Sequence, residues 1–285
     1  MYEDTIPQPA TLRDDYADRS AAAAAAKMRV ARDLTATDLK EPVPDGLTAD
    51  EELDWKYQRY MEDYLRCVAS VDDNVGRLLD HLDARGLTDD TLVIYTSDQG
   101  FFLGDHGWFD KRFMYEPSLR MPLLVRYPRR IAPGSAGDAI VLNIDYAQTF
   151  LDLAGISDTA VPQRMQGRSL TPLFGGRTPK GWRRSMYYRY WMHDDSAHHV
   201  RAHYGVRTER YKLIFYYGEG LGVPGASDRV FPPEWELFDL HNDPDELHNV
   251  YDHPAHAQVR AGLERELARL QRLYGDQPAP AQAAA

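Results

Sequence analysis

The chain has 285 residues, with 33 Lys and Arg against 44 Asp and Glu, a formal charge of −11 and a single cysteine. That length allows a sizeable core in one large domain or two modest ones. The acidic balance argues against a nucleic-acid binder, whose footprint is basic, and one cysteine excludes an internal disulfide. No stretch approaches the ~20 apolar residues of a membrane-spanning helix, and the first residues, MYEDTIPQPATLRDD, have neither the basic start nor the apolar core of a signal peptide.

Residues 1–50 are proline-spotted and charged, with one alanine run, 21–26, after Ser20. Ser20 as N-cap predicts a short helix reaching about Val30. Six alanines form a helix readily and offer a poor core, so this part reads as a surface segment crossing a larger domain, with a loop over a substrate cleft as the alternative. Thr48 and Glu51 then have the spacing of a capping box. Leu53, Tyr57, Met61, Val68, Val71, Val75, Leu78 and Leu82 follow at helical steps as far as Gly86, which predicts one long helix. Cys67 on it reads as a packed, inert thiol. Asp72, Asp73 and Asn74 point in different directions from a helix and read as a solvated face.

The apolar run 91–97 predicts a buried strand, and with the preceding helix one step of a parallel sheet, continued by a strand at 122–127. Residues 141–153 read as a strand end running into a helix, with Asp145 as its N-cap. After 172–176 the pattern changes to short β-rich runs at 185–191, 204–208, 211–216 and 235–240, with a loop at 218–233, which predicts an antiparallel sheet. A helix at 254–273 shows Val259, Leu263, Leu267 and Leu270 on one face. The expected organisation is an α/β part over 1–178, a small antiparallel-sheet-plus-helix subdomain over 179–275 and a disordered tail over 276–285.

The chemistry gathers behind the 91–97 strand, where Asp98, Gln99 and Gly100 are followed by Gly104, Asp105, His106, Gly107 and Lys111. Ligands of open α/β sheets collect outside the carboxyl ends of strands. Asp98 and Gln99 offer oxygen donors suited to Ca²⁺ or Mg²⁺. His106 adds a proton donor and Lys111 a fixed positive charge, equipment for an anionic ester. On composition alone, an ordinary strand-end turn explains Asp98 and Gly100 equally well.

Asp98-Gln99-Gly100, with His106 and Lys111 eight and thirteen positions after Asp98, resembles the second metal-binding motif of the type I sulfatases of the alkaline-phosphatase superfamily. The segments 57–65 (YQRYMEDYL), 70–80 (SVDDNVGRLLD), 112–128 (RFMYEPSLRMPLLVRYP) and 235–251 (WELFDLHNDPDELHNVY) resemble bacterial sulfatases that desulfate glycosaminoglycans and mucins. The resemblance covers nearly the whole chain. It implies an α/β fold, a partial alkaline-phosphatase-like sheet flanked by helices and followed by a small α+β subdomain with a C-terminal helix. It also implies Asp98 and Gln99 as Ca²⁺ ligands, Lys111 on the sulfate, a direct part for His106, and Arg201 and His203 as contacts to a sulfated amino sugar or glycan, beside Tyr187, Tyr188, Tyr190 and Trp191. The histidines near Arg201 lack zinc spacing.

The pattern departs from the family at the nucleophile. Type I sulfatases convert the cysteine of Cys-x-Pro-x-Arg to formylglycine, whereas Cys67 stands in Cys67-Val68-Ala69-Ser70. The paired amino-terminal aspartates of the calcium shell have no match either, since Asp14-Asp15 follows no strand-like run. The expectation is the carboxyl-terminal portion of a sulfatase, with the amino-terminal half of its catalytic domain missing, an incomplete Ca²⁺ site and no activity alone. A non-catalytic glycan-binding module and a phosphate or phosphonate ester hydrolase of the same superfamily are the alternatives.

Overall fold

The computed structural model describes residues 4–156 and 165–277; most of the expected tail, 278–285, lies outside the described residues. Ser20 caps α1 (Ala21–Ala25) by accepting from the Ala23 N–H. The helix stops short of Val30, and α2 (Val30–Asp33) and α3 (Ala36–Leu39) follow separately. The alanine run is only half a surface: Ala22, Ala23 and Ala26 are fully buried, while Ala21, Ala24 and Ala25 are exposed. Their methyl groups let the backbone lie close to the carboxyl-terminal sheet, where the Ser20 and Ala22 N–H groups donate to Glu236 and Glu234 at 2.9 and 3.0 Å. Small size, a weakness when apolar area is counted, is what admits the run to the core.

The long helix α4 (Ala49–Ala84) opens on its capping box, with Thr48 N–H to Glu51 Oε2 at 2.8 Å and Glu51 N–H to Thr48 Oγ1 at 3.3 Å. Its first half is sealed, Leu53, Tyr57 and Met61 packing with Leu12, Val30, Leu34 and Leu39. The second half leaves Val68, Val71 and Leu78 exposed, and Cys67 is exposed rather than packed.

β1 (Val93–Thr96) is reached through a 3-10 turn and pairs with β4 (Leu123–Arg126). The pairing is antiparallel, not the expected parallel one, with Tyr95 opposite Leu124. Between them lie only the small hairpin of β2 (Phe102–Leu103) and β3 (Phe109–Asp110) and the four-residue α5 (Glu116–Leu119). The connection is long enough for a crossover, but its one helix is four residues long, too short to carry the usual parallel return. Neither strand holds a buried residue. No strand leads directly into α6 (Asp145–Leu153), and Asp145 is its first residue instead of its cap. The buried Asp145 carboxylate accepts from the Leu142 and Arg168 N–H groups, both at 2.8 Å, and pairs with Arg183 across residue 178.

β5 (Ser185–Tyr190), β6 (His203–Thr208), β7 (Tyr211–Tyr216) and β8 (Glu234–Asp239) form the expected antiparallel sheet in sequence order. Alternation along the strands sends Tyr204, Val206, Leu213 and Leu237 to one face, covered by Leu263, Leu267 and Leu270 of α7 (Ala257–Tyr274). Ile214, Tyr216 and Phe238 go to the other face, where they pack with Tyr16, Ala22, Met28, Phe102, Trp108 and Phe113. One core therefore runs through both expected parts of the chain. Asp276, placed by sequence in a loose tail, accepts from the Tyr187 hydroxyl and from Arg189, the latter at 2.6 Å.

Ala23→Leu adds three carbons where α1 has no room, and overpacking of this kind costs about 1–3 kcal/mol. The expected result is a lower urea midpoint at an unchanged slope; an unmoved midpoint would take α1 out of the core.

Candidate functional site

The carboxyl end of β1 delivers an exposed Asp98 beside a half-buried Gln99. The next residue ties them down: Gly100 N–H donates to Ser118 O at 2.8 Å. A Cβ at position 100 would lie 2.1 Å from Pro117 O, so the approach of the two backbones requires glycine. Ser118 also donates through its hydroxyl to Lys111 O at 2.7 Å. One residue thus joins the turn carrying Asp98 and Gln99 to the strand end carrying Lys111. The Lys111 side chain is half-buried, and among the described residues its ammonium enters no ion pair. The adjacent carboxylate is already committed, because Asp110 accepts from Arg112 Nε at 2.9 Å and faces His198 Nε2 at 3.1 Å.

His106 is not at that edge. It is 2 % exposed, with its ring edge-on to Tyr115 at 5.1 Å between centroids. Its Nδ1 lies 3.1 Å from Asp14 Oδ2, its N–H donates to Thr11 Oγ1 at 2.9 Å, and its carbonyl accepts from the Tyr16 hydroxyl. The expected cleft-facing proton donor is a core residue, because the 11–19 segment folds over it. Burial pushes the Asp14 carboxyl up, but the His106 hydrogen bond, the Tyr16 N–H and the Arg19 guanidinium outweigh it and hold it at about 2.

Arg201 and His203 also lie inside, away from any open face. Arg201 pairs with Glu234 at 2.8 Å and its guanidinium sits 4.0 Å from the Phe231 ring centroid. His203 is fully buried, hydrogen-bonded to Arg201 O at 2.8 Å and stacked between Tyr188 and Tyr190 at 5.8 and 5.3 Å. Burial holds its ring at about 4, so it is neutral at physiological pH. What the tertiary structure adds beside Lys111 is the cluster Asp110, Arg112, Asp195 and His198, in which His198 Nδ1 lies 2.9 Å from Asp195 Oδ1. In sequence, nothing local to either segment signals the link.

Among the described residues there is no group of three or more His, Cys, Asp or Glu able to hold a metal ion. Asp98 and Gln99 have the right donor chemistry for a hard cation, but two groups from one turn fall short of the 6–8 oxygens Ca²⁺ takes. A cleft of about 530 Å³ opens nearby between Glu116, Arg120, Leu123, Tyr146 and Arg207, with neither Asp98 nor Lys111 on its wall.

A family model described as Sulfatase matches residues 8–156, and one described as N-sulphoglucosamine sulphohydrolase, C-terminal, matches residues 104–273. An N-acetylglucosamine-6-O-sulfatase of Bacteroides thetaiotaomicron is 46% identical over 226 residues, which make 79% of this chain and 38% of that protein. A solved structure of a protein in complex with its substrate D-glucosamine-2-N,6-O-disulfate matches with a TM-score of 0.85 at 38% identity, over 95% of this chain and 60% of that one. A phosphonate monoester hydrolase from Silicibacter pomeroyi matches with a TM-score of 0.64 at 29% identity, over 80% of this chain and 43% of that one. The chain spans less than two thirds of each.

Because the folded Asp14 carboxyl lies below its ordinary value of 3.8, its stabilisation is present above that value and is lost as pH falls toward about 2. A depression of this size corresponds to about 2 kcal/mol at neutral pH. Asp14→Asn is expected to lower the urea midpoint at pH 7 and to flatten the loss of stability between pH 4 and about 2. A variant with the wild-type acid profile would remove Asp14 from the buried pair.

Proposed function

Because the chain belongs to the sulfatase family, we propose that it serves the hydrolysis of a sulfate ester on a sulfated amino sugar of a glycosaminoglycan, and that it contributes the cationic side of the site. The observation that carries this reading is the junction at Ser118, which holds an unpaired, half-buried lysine and an Asp-Gln oxygen pair on neighbouring backbone. In sulfate-ester cleavage, negative charge gathers on the sulfuryl oxygens and on the leaving oxygen. A fixed ammonium in a partly dehydrated position stabilises that charge without reorganising. Lys111 has this role in our reading, and among the described residues no carboxylate pairs with it.

Asp98 and Gln99 would hold part of a Ca²⁺ shell, and the ion would draw charge from the ester oxygens. His106 acts as a positioning residue, anchoring the 104–108 turn that leads into β3. Arg201 and His203 support, from inside, a sugar-facing wall built on β5 and on the Asp110–Arg112–His198 cluster. The 1–178 and 179–275 parts work as one unit, since the wall takes Asp110 and Arg112 from one side of that boundary and β5 and His198 from the other. The formylglycine nucleophile used in the family is not Cys67, which lies exposed on α4 without the proline and arginine of the motif.

The amino-sugar assignment is supported by the Bacteroides relative and by the disulfated glucosamine in the matching structure. The phosphonate hydrolase likeness supports a second reading, ester cleavage at phosphorus on the same charge frame. Both are tested by grafting this chain in place of the matched segment of the Bacteroides enzyme and assaying N-acetylglucosamine 6-sulfate against a phenylphosphonate monoester. Turnover of the sulfate is expected, Asp98→Ala should abolish it, and Lys111→Ala should lower kcat/KM by about 10²–10³. Preference for the phosphonate would decide for the second reading, and an indifferent Lys111→Ala would sink both.

A further inference from the structure

Between β5 and β6 the chain makes a closed turn, 193–200, which carries Asp195 and His198 of the charge cluster beside Lys111. Asp194 N–H donates to Val200 O at 2.8 Å, His199 N–H to Asp195 O at 3.0 Å, and Lys27 N–H to His198 O at 2.7 Å. The turn opens on His193, which is fully buried and has no part in the site described above. The 218–233 loop between β7 and β8 is fastened at the same place. Its neck closes where Phe231 N–H donates to Gly218 O at 2.9 Å, and farther round Ser227 N–H donates to His193 O at 2.8 Å. Arg229 Nη1 donates to Asp194 Oδ2 at 3.0 Å, and the Arg229 carbonyl lies 3.0 Å from His193 Nε2. On the other side of the ring, the Ala202 N–H donates to Nδ1 at 3.2 Å.

These partners fix the protonation of the ring. A backbone N–H only donates and a carbonyl only accepts, so Nδ1 turns a lone pair to Ala202 and Nε2 a proton to Arg229. A second proton would set two donors face to face at Ala202. Asp194, itself paired with His199 at 2.8 Å, faces the ring from the turn, Arg201 from the approach to β6, and Glu219 and Arg229 from the loop, with the Phe231 ring edge-on at 5.6 Å. We propose that neutral His193 is a positioning residue, which clasps the 218–233 loop to the 193–200 turn and so sets His198 against Asp110 and Arg112, and that protonation of its ring opens the clasp. The turn needs such support: Asp194 and His199 have φ of 45° and 50°, and side chains with a Cβ hold that conformation only where contacts impose it. Burial depresses the His193 ring below its ordinary 6.5; the Arg229 carbonyl, Asp194 and Glu219 oppose this, and Arg201 adds to it. The contribution of the clasp is therefore complete above 6.5 and is lost as pH falls through the folded value. Its bearing on turnover rests on the proposed function; the clasp itself does not.

Amide exchange followed by NMR in the 285-residue chain tests the clasp without any activity. Protection of the Asp194, Ala202 and Ser227 amides, corrected for the intrinsic rate, is expected to hold down to pH 6.5 and then to fall by up to about tenfold per pH unit. Lys27, bonded to His198 O, should follow, and the β7 amides should keep their protection. His193→Gln retains an acceptor and a donor on a side chain that does not titrate, and should remove the acid step. A flat wild-type profile, a step that survives in His193→Gln, or a step shared equally by the β7 amides would each overturn the proposal. In the Bacteroides enzyme carrying this chain, His193→Ala should raise KM for N-acetylglucosamine 6-sulfate about tenfold and leave kcat within about twofold, with KM restored by His193→Gln. A KM that ignores an opened clasp would overturn the positioning role. No turnover with His193 intact would remove the proposed function and leave the clasp, which exchange reads by itself.

Discussion

The surroundings of Lys111 depend on how residues 11–29 are trapped between the β2–β3 hairpin and the four-stranded sheet. Phe109 N–H donates to Met28 O at 2.8 Å, and Arg29 bridges Trp108, so the amino-terminal segment borders the strand that leads to Lys111. Tyr16 stacks on Trp108 at 5.3 Å, Trp108 on Phe113 at 4.6 Å, and the Arg29 guanidinium lies 4.2 Å from the Tyr16 centroid. With Asp14 and His106 beneath, the hairpin is gripped by aromatic packing and a buried hydrogen bond together. Two-residue strands could not hold a charged side chain in a fixed place without that grip.

A second buried charge group fixes the opposite flank. Lys212, fully buried on β7, reaches Glu246 at 2.6 Å and Glu116 at 2.9 Å, and Arg207 joins Glu116 from β6. Burial pushes the Glu116 carboxyl up, but Lys212 and Arg207 outweigh it and hold it at about 2; for Glu246 burial prevails and its carboxyl is raised. Removing one member of such a group is costly because it strands the others in a poorly solvated place. Glu246 also accepts from the Glu116 N–H at 2.6 Å, which seats α5 and, through Ser118, the backbone on which both Gly100 and Lys111 rely. The structural charges and the proposed catalytic one are therefore mechanically linked.

Electrostatics gives the same region its character. A chain of charge −11 repels a polyanionic glycan at long range. In the proposed role, attraction would come from cations close to the reacting group, which makes the neighbourhood of Lys111 and Arg112 more telling than the average composition. Asp110 and His198 hold Arg112 in place, and among the described residues the lysine has no carboxylate partner.

Much of the local structure was legible in the residues themselves. The capping box of α4, the four strands of the carboxyl-terminal sheet, the apolar face of α7 and the Asp98-Gln99-Gly100 turn all rest on short-range periodicity or on a side chain reaching its own backbone. The rest was settled by partners far away in the chain. His106 became a core residue because Asp14, 92 positions earlier, folds onto it. Arg201 turned inward to Glu234, 33 positions later, and half of the alanine run became core because β8, more than 200 residues downstream, needed a thin neighbour. The direction of β4 against β1 was likewise not written in either strand, and Cys67 lies exposed on α4. Patterns of period 2 and 3.6 determine which elements form, but whether a polar side chain meets water or a buried counter-charge depends on contacts between segments, which local pattern does not encode.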